Sequence, residues 1–170
     1  MFSKKVTTLL NSQIQKEFYS AYLYLYFSNY YEEQGLKGFA NWFRVQAQEE
    51  RDHAMLFIQY MQNNDLSITL EAIEKPTTPL NEHMDALKGS LVHEQYVTQS
   101  IHTIYEAAYE SKDFRTMQFL DWFVREQGEE ETNSQENIKK MELFGTDSKG
   151  LYMLDQELGA RVYAAPSLVL

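Results

Sequence analysis

A set of acidic side chains with one histidine is the feature of this sequence best suited to do chemistry. Glu50 and His53 lie three residues apart, so a helix would place both on one face. Similar inward positions occur in three other segments: Glu17, Glu94, and the pair Gln127 and Glu130. A carboxylate that faces a core is costly unless it binds a proton, a cationic group or a metal. The sequence therefore predicts one shared cation site.

The residue types restrict what this site could bind. The sequence has no cysteine, so it offers neither a thiolate ligand nor a disulfide. Carboxylates with one imidazole and one amide are hard, oxygen-rich donors, which suit iron or manganese better than a tetrahedral structural zinc. If two cations share the site, Glu50 is the natural bridge, because His53 lies one turn away on the same face.

Interpretations without a metal stay open from the residues alone. A single Glu-x-x-His spacing arises easily by chance, so Glu50 and His53 alone carry little weight. One glutamate on an apolar stripe can also lie at the rim of a helix or pair with an arginine. A helical scaffold that binds a protein partner would show similar stripes. The agreement among four segments is what favours a cation site.

Four long amphipathic segments position these residues. In each of them, apolar residues recur at intervals of three and four, as on one face of a helix. The segments span about 4–33, 38–62, 81–110 and 113–144. The alternating run 22–27 could also form a strand, but its flanks are helical and no glycine or proline separates them, so we predict a helix. A short fifth helix is predicted over about 147–159, with Asn81 and Asp113 as N-caps of the third and fourth helices.

The lengths of the connections predict the topology. The first and third breaks are only a few residues long, so each pair of helices that they join is antiparallel. The second connection of about 18 residues spans roughly 60 Å when extended, whereas a helix of about 28 residues is roughly 42 Å long. The connection can therefore cross the bundle and leave the second and third helices parallel.

These elements predict an all-α fold, a four-helix bundle that runs up-down-down-up with one long crossover and a short fifth C-terminal helix. The bundle over 1–145 and the remainder over 146–170 are expected to form a single domain. Since the acidic positions lie near the middle of their helices, they should meet in one layer at the waist of the bundle.

The composition restricts the partners. With 170 residues, 44% of them hydrophobic, the chain can build one substantial core. A net charge of −10 argues against nucleic acid as a partner. The start of the chain lacks the apolar core of a signal peptide, and the longest apolar run, 21–27, is too short to span a membrane. We therefore expect a soluble, cytoplasmic protein with no membrane partner.

With these residues in place, the chain resembles the ferritins, most closely the bacterial non-haem ferritins, over essentially its whole length. The arrangement is the one known for ferritin-like di-iron bundles. The resemblance implies a first iron on Glu17, Glu50 and His53, and a second on Glu50, Glu94 and Glu130 with Gln127 beside it. It also implies a third iron nearby on Glu49, Glu126 and Glu129, with Glu130 shared.

Two features distinguish the chain from other ferritin-like groups. Bacterioferritins carry a second Glu-x-x-His in the fourth helix, where this chain has Gln127 and Glu130. Their haem methionine directly follows the glutamate of the second helix, and this chain has Arg51 there, so no haem is expected. Mini-ferritins build their site between two subunits, whereas this chain contains a full ligand set.

The sequence also predicts roles for three further residues near these positions. Tyr24 lies two turns after Glu17 on the same face, and the resemblance implies an auxiliary electron donor, although a core tyrosine with a satisfied hydroxyl fits equally. Trp122 could be a further electron source, but core packing is the favoured role. His93 is expected to be an ordinary helix residue that points away from the face of Glu94.

The function that the resemblance implies is iron storage with ferroxidase activity. Oxygen or peroxide would oxidise paired Fe²⁺, and the product would mineralise as hydrated ferric oxide inside a cage of 24 identical chains. The apolar fifth helix also needs neighbours to cover it. A di-iron oxygenase, a peroxide reductase or a radical-generating subunit is the enzymatic alternative. The chain shows neither the extra domain nor the cysteine set that an electron-transfer module would need.

Overall fold

A computed structural model describes residues 2–170 and shows five α-helices, with no strand in that range. The helices are α1 (Lys4–Glu33), α2 (Lys37–Asn63), α3 (His83–Glu110), α4 (Phe114–Phe144) and α5 (Ser148–Gly159). The all-α prediction is confirmed. The ambiguous run 22–27 is helical throughout, because burial of one face of α1 outweighs the local preference for a strand.

The short connections reverse the chain as predicted. Gly35 ends the turn after α1 with a φ of 77°, a left-handed conformation that glycine adopts without strain. Asp113 is the N-cap of α4, and its carboxylate accepts a hydrogen bond from the backbone N–H of Thr116. As a result, α1 lies antiparallel to α2, and α3 lies antiparallel to α4.

The predicted N-cap of α3 is wrong by one residue. Asn81 is not the N-cap; the helix begins at His83 and its N-cap is Glu82. Asp85, in the first turn, accepts hydrogen bonds from the backbone N–H groups of both Asn81 and Glu82. This carboxylate satisfies backbone donors just before the helix, so the helix can begin after an extended Glu82.

The long connection, residues 64–82, crosses the bundle beside α1. Asn11, near the start of α1, donates a hydrogen bond to the carbonyl of Ser67. Tyr26, near the end of α1, donates to the carbonyl of Thr78 at 3.0 Å. Because these contacts lie at opposite ends of α1, the connection spans the bundle and returns the chain so that α3 runs parallel to α2.

The fifth helix docks on the first turn of α2. The carboxylate of Asp155 accepts hydrogen bonds from the backbone N–H groups of Gly38 and Phe39, at 2.8 and 3.0 Å. A negative charge is favourable at a helix N-terminus. The approach is close enough that a Cβ atom on Gly38 would lie 1.6 Å from the carbonyl oxygen of Asp155. Gly38 therefore permits this docking.

The apolar core consists of two clusters at opposite ends of the bundle. One cluster includes Leu10, Phe57 and Ile101, and the other includes Phe27 and Phe43 among its members. A layer of buried polar side chains separates them at the waist. Each helix passes through one cluster, the polar layer and then the other cluster. Within the described range, no helix is long and apolar enough to cross a membrane.

Candidate metal centre

The polar layer contains every residue predicted for a two-cation site. These side chains come from all four long helices, and each is at most 5% exposed: Glu17, Glu50, His53, Glu94, Gln127 and Glu130. These side chains are buried because each one occupies a position on the inward-facing, otherwise apolar face of its own helix. The structure therefore brings together residues that lie up to 113 positions apart, from Glu17 to Glu130.

The ligand atoms form two groups that share one glutamate. Glu17, Glu50 and His53 offer atoms that all lie within 4.8 Å of one another, and the same holds for Glu50, Glu94 and Glu130. A spacing of this size lets three side chains contact one ion with small rotations. Because only Glu50 belongs to both groups, it lies where a carboxylate could bridge two cations.

One oxygen of the first group has no partner within the protein. Glu17 Oε2 is fully buried and has no hydrogen-bond partner in the part of the chain that the structure describes. A buried carboxylate oxygen left in this state costs free energy, whereas a bound cation would satisfy it. The donor set of four carboxylates and one imidazole fits a hard metal ion such as iron.

Two glutamines orient the ligand carboxylates, and the sequence analysis missed both. Gln13 donates to Glu17 at 2.8 Å, and Gln46 donates to Glu50 at 3.0 Å. Gln46 also donates to Glu130 at 2.7 Å, so it links α2 to α4. Each glutamine precedes its glutamate by four residues, which is one helical turn. This repeated spacing is a signal that could have identified them.

Like charges and burial together set the protonation of the centre. Burial and the negative charge of Glu50 raise the pKa of Glu17 and of Glu94 to about 8. Burial and the charges of Glu94 and Glu50 raise the pKa of Glu130 well above its ordinary range. Without metal, Glu17 and Glu94 are therefore mainly protonated at pH 7, and the raised pKa of Glu130 favours its neutral form in the same direction.

Glu50 and His53 form the charged pair of the layer. Burial opposes the charge on both, but the Nδ1 of His53 lies 3.2 Å from a Glu50 oxygen and this contact prevails. Burial alone would raise the pKa of Glu50, yet the charge of His53 lowers it overall. Burial would lower the pKa of His53, yet the charge of Glu50 raises it to about 10. Metal binding must replace this pairing, since a ligand imidazole is neutral.

Comparison with known proteins decides the family. The family model for the ferritin-like domain matches residues 7–144, which include the four long helices, apart from the first three residues of α1, and the whole polar layer. The chain belongs to the ferritin family.

Bacterial and archaeal ferritins are similar over nearly the entire chain. The bacterial non-heme ferritin of Campylobacter jejuni is 38% identical over 156 residues, which cover 92% of this chain and 93% of that relative. That of Staphylococcus aureus strain USA300 is 34% identical over 96% of this chain and 98% of its own. An open-pore ferritin of Archaeoglobus fulgidus is 42% identical, with a TM-score of 0.92 over 95% of this chain and 98% of its own. The predicted resemblance is confirmed, and it supports a role in iron storage.

In this ferritin, two residues position Glu94. The hydroxyl of the fully buried Tyr24 donates a hydrogen bond to one oxygen of Glu94, and Gln127 donates to the other at 3.0 Å. Burial and the charge of Glu94 raise the pKa of Tyr24, so the phenol keeps its proton. The structure thus places Tyr24 in contact with the centre through Glu94.

His93 differs from its expected role. The ring is buried and its Nε2 lies 2.7 Å from the hydroxyl of Ser20, which links α3 to α1. Burial lowers the pKa of His93 to about 4, so the ring is neutral. It lies beside the ring of Tyr24, with 6.0 Å between ring centroids. His93 is therefore an interhelical contact next to the centre, and the stripe of α3 alone did not reveal this because the contact comes from α1.

The three residues expected to complete a third iron site are placed differently from one another. Glu49 and Glu126 are partly buried beside the centre, and Glu126 lies 4.0 Å from the Nε2 of His53. Glu129 is exposed to solvent. Glu49 is paired with Arg161 at 2.5 Å. In this arrangement the described residues form two close ligand groups, and neither includes Glu49, Glu126 or Glu129.

Proposed function

We propose that this ferritin oxidises Fe²⁺ at a di-iron ferroxidase centre within each chain and stores the product as hydrated ferric oxide in a cytoplasmic cage of 24 chains. The observation that carries the proposal is the pair of buried ligand groups that share Glu50. Family membership supplies the general role in iron storage. The ferroxidase chemistry and the cage extend that role.

The proposed ligand roles follow the two groups. Glu17, Glu50 and His53 would bind the first iron. Glu50 would bridge to the second, which Glu94 and Glu130 complete, with Gln127 held against Glu94. A third iron on Glu49, Glu126, Glu129 and Glu130 would require Glu49 to leave Arg161.

The chemistry needs two Fe²⁺ ions held close together. Each loses one electron, and dioxygen with two protons takes both electrons to become hydrogen peroxide. If peroxide is the oxidant, it takes two electrons and two protons to become two water molecules. Carboxylates stabilise the higher charge of Fe³⁺, so the oxygen-rich layer favours the product. Because the protein holds both Fe²⁺ ions close together, the reaction does not need two ions and an oxidant to meet by chance in solution.

We propose that this ferritin binds no haem. The residue after Glu50 is Arg51, whose side chain is 62% exposed and lies 3.1 Å from Asp52. A guanidinium cannot ligate haem iron, and this side chain points into solvent.

The proposed cage accounts for apolar surface at the end of the chain. Tyr152 and Met153 on α5 are 64% and 62% exposed in the isolated chain. Exposed apolar side chains on a terminal helix are typical of an interface. We also propose that 1–145 and 146–170 form one domain, since Asp155 of α5 caps α2.

Aerobic addition of Fe²⁺ to metal-free protein tests the proposal. We expect an amber, iron-rich species that stays in solution and elutes at the mass of the assembly. Twenty-four chains of 20.0 kDa give about 480 kDa, which light scattering after size-exclusion chromatography measures. Fe²⁺ in buffer without protein is the control and should precipitate. A monomer or dimer with no soluble ferric iron would refute both the cage and the storage chemistry.

Tyr24 is proposed as an auxiliary electron donor to the second iron. Tyr24→Phe removes the hydroxyl that contacts Glu94 and keeps the ring. We expect the first oxidation of bound Fe²⁺ to continue and a tyrosyl radical signal to be lost from rapidly frozen samples in electron paramagnetic resonance. Tyr22→Phe, on the exposed side of α1, is the matched control and should keep the signal. An unchanged signal in Tyr24→Phe would refute the electron-donor role and leave Tyr24 with its role in positioning Glu94.

A further inference from the structure

The segment after α5 returns along the face formed by α2 and α4. The side chain of Asn41 donates a hydrogen bond to the carbonyl of Arg161 at 3.0 Å, and the hydroxyl of Tyr163 donates to Asp52. Further along, the indole N–H of Trp122 donates to the hydroxyl of Ser167 at 2.9 Å. Contacts with both helices fix this segment beside the metal centre.

Arg161 is the side chain that this segment directs toward the centre. One of its guanidinium nitrogens donates to Glu49 at 2.5 Å, and another donates to Gln46 at 2.7 Å. The guanidinium carbon also lies 4.0 Å from the ring centroid of Trp42, within cation–π range. Only 16% of the Arg161 side chain is exposed. Its position is therefore determined by contacts on three sides.

A single glutamine connects Arg161 to the metal ligands. The carbonyl oxygen of Gln46 accepts from Arg161, and its amide nitrogen donates to Glu50 and Glu130. The guanidinium thus lies one side chain away from the carboxylate shared by both ligand groups. This contact also fixes the amide orientation of Gln46, because the guanidinium can only donate.

Arg161 pairs with Glu49, one of the two partly buried acids that flank the centre. Burial raises the pKa of Glu49, and the positive charge of Arg161 opposes that rise. The same charge acts on Glu126 of α4, where burial and the contact with His53 are the larger influences. An arginine side chain keeps its charge at any physiological pH. A metal cation bound between Glu49 and Glu126 would therefore meet a fixed positive charge.

We propose that Arg161 occupies the place of a third cation and limits the centre to two metal ions per chain. This inference rests on the proposed di-iron site. Glu49 on α2 and Glu126 on α4 are side chains of suitable chemistry for another hard cation; Glu126 lies 4.0 Å from the Nε2 of His53, and Glu49 directly precedes the shared ligand Glu50. The guanidinium binds Glu49 instead, so these acids become ligands only when Arg161 is removed or displaced. Arg161 would thus determine the number of metal ions bound per chain, although it contacts no reacting atom.

Anaerobic titration with Fe²⁺ in a calorimeter tests the proposal without turnover. The wild-type assembly is expected to bind two Fe²⁺ per chain, and Arg161→Gln is expected to bind three. The added site should bind at least about tenfold more tightly than any third ion in the wild type. Arg161→Lys retains the charge and should stay at two. Arg51→Gln removes an exposed arginine from the same helix as Glu49 and should also stay at two.

A second substitution assigns the added ion. Glu49→Gln in the Arg161→Gln background should return the stoichiometry to two, because the freed carboxylate is then absent. A third ion that persists in this double variant would overturn the assignment to Glu49. Three ions in the wild type, or two in Arg161→Gln, would overturn the role of Arg161. A wild type that binds no Fe²⁺ would instead refute the di-iron site itself.

Circular dichroism distinguishes a site effect from a folding effect. The tail contacts of Tyr163 and Ser167 do not involve the guanidinium, so Arg161→Gln should keep the helical content and the mass of the assembly. Should Arg161→Gln lose its fold, Tyr163→Phe provides the second variant. It releases the tail from Asp52 and leaves the guanidinium in the chain, and we expect weaker binding of a third ion than in Arg161→Gln but stronger than in the wild type. A third-ion affinity equal to the wild type in Tyr163→Phe would count against the proposal.

Discussion

Glu50→Gln is expected to slow the rapid phase of Fe²⁺ oxidation by about 100-fold or more. Glu50 is the one residue that belongs to both ligand groups. The amide has nearly the same shape, so packing is preserved, but it has no negative charge and only one acceptor oxygen. It can therefore neither bridge two cations nor compensate their charge. Both irons would be affected by the single change.

Stopped-flow absorbance after mixing Fe²⁺ with aerated protein measures the rate. Glu136→Gln, an exposed glutamate on α4, removes the same charge away from the centre and should leave the rate unchanged. Calorimetry should also show fewer than two tight Fe²⁺ sites per chain in Glu50→Gln. If this variant oxidises iron as fast as the wild type, the polar layer is a structural feature and the scaffold interpretation is favoured.

Metal binding at neutral pH is expected to release at least about two protons per chain. Glu17 and Glu94 each have a pKa of about 8 in the folded, metal-free chain, so both are mainly protonated at pH 7. A metal ligand must be the carboxylate, and the proton leaves when the cation binds. His53, with a pKa of about 10, must also lose its proton to become a ligand. The release should therefore decline as the pH rises above 8.

The same groups give the metal-free fold a pH dependence of definite sign. Glu17 and Glu94 bind more protons when folded than when unfolded, because burial raises their pKa from 4.5 to about 8. Their contribution to the free energy of unfolding is complete below pH 4.5 and is lost as the pH rises through 8. The raised pKa of His53 extends this loss from 6.5 to about 10. His93 acts in the opposite direction, but only between about 4 and 6.5.

Metal-free protein is therefore expected to lose stability steadily from pH 6.5 to 9. Urea unfolding followed by circular dichroism measures this, and calorimetric titration with Zn²⁺ in two buffers of different ionisation enthalpy measures the proton release. The double variant Glu17→Gln/Glu94→Gln should remove the part of both effects that these two carboxyls contribute, and should leave the part that comes from His53. A metal-free chain that becomes more stable over this pH range, or binds Zn²⁺ without releasing protons, would contradict the assigned protonation states.

The sequence was sufficient to predict the bundle and the composition of its waist. A helix repeats every 3.6 residues, so a glutamate such as Glu94 within an apolar stripe has a determined direction once the helix is predicted. The long connection then determined the order of the helices. Glu17 and Glu130 were predicted to converge because each lies near the middle of its helix. In a bundle of helices of similar length, the midpoints lie at the same height whichever way each helix runs.

The structural features that could not be predicted depend on contacts between separate elements, and such contacts leave no periodic pattern in the sequence. Arg161 lies in an irregular segment, and nothing in its neighbours along the chain indicates that it binds Glu49. His93 lay outside the predicted stripe of α3, and its partner Ser20 comes from α1. The N-cap of α3 was misplaced because Asp85 satisfies the backbone donors from inside the helix.

The division of the apolar core into two clusters has a consequence for how iron is loaded and released. Each cluster holds all four long helices together at one end, as Phe57 and Ile101 do at one end and Phe43 does at the other. Side chains of the intervening layer can thus rotate toward or away from an ion while both ends keep the helices in register. An ion could then enter or leave the centre through rotation of a few side chains, and the bundle would not need to unfold for ions to exchange.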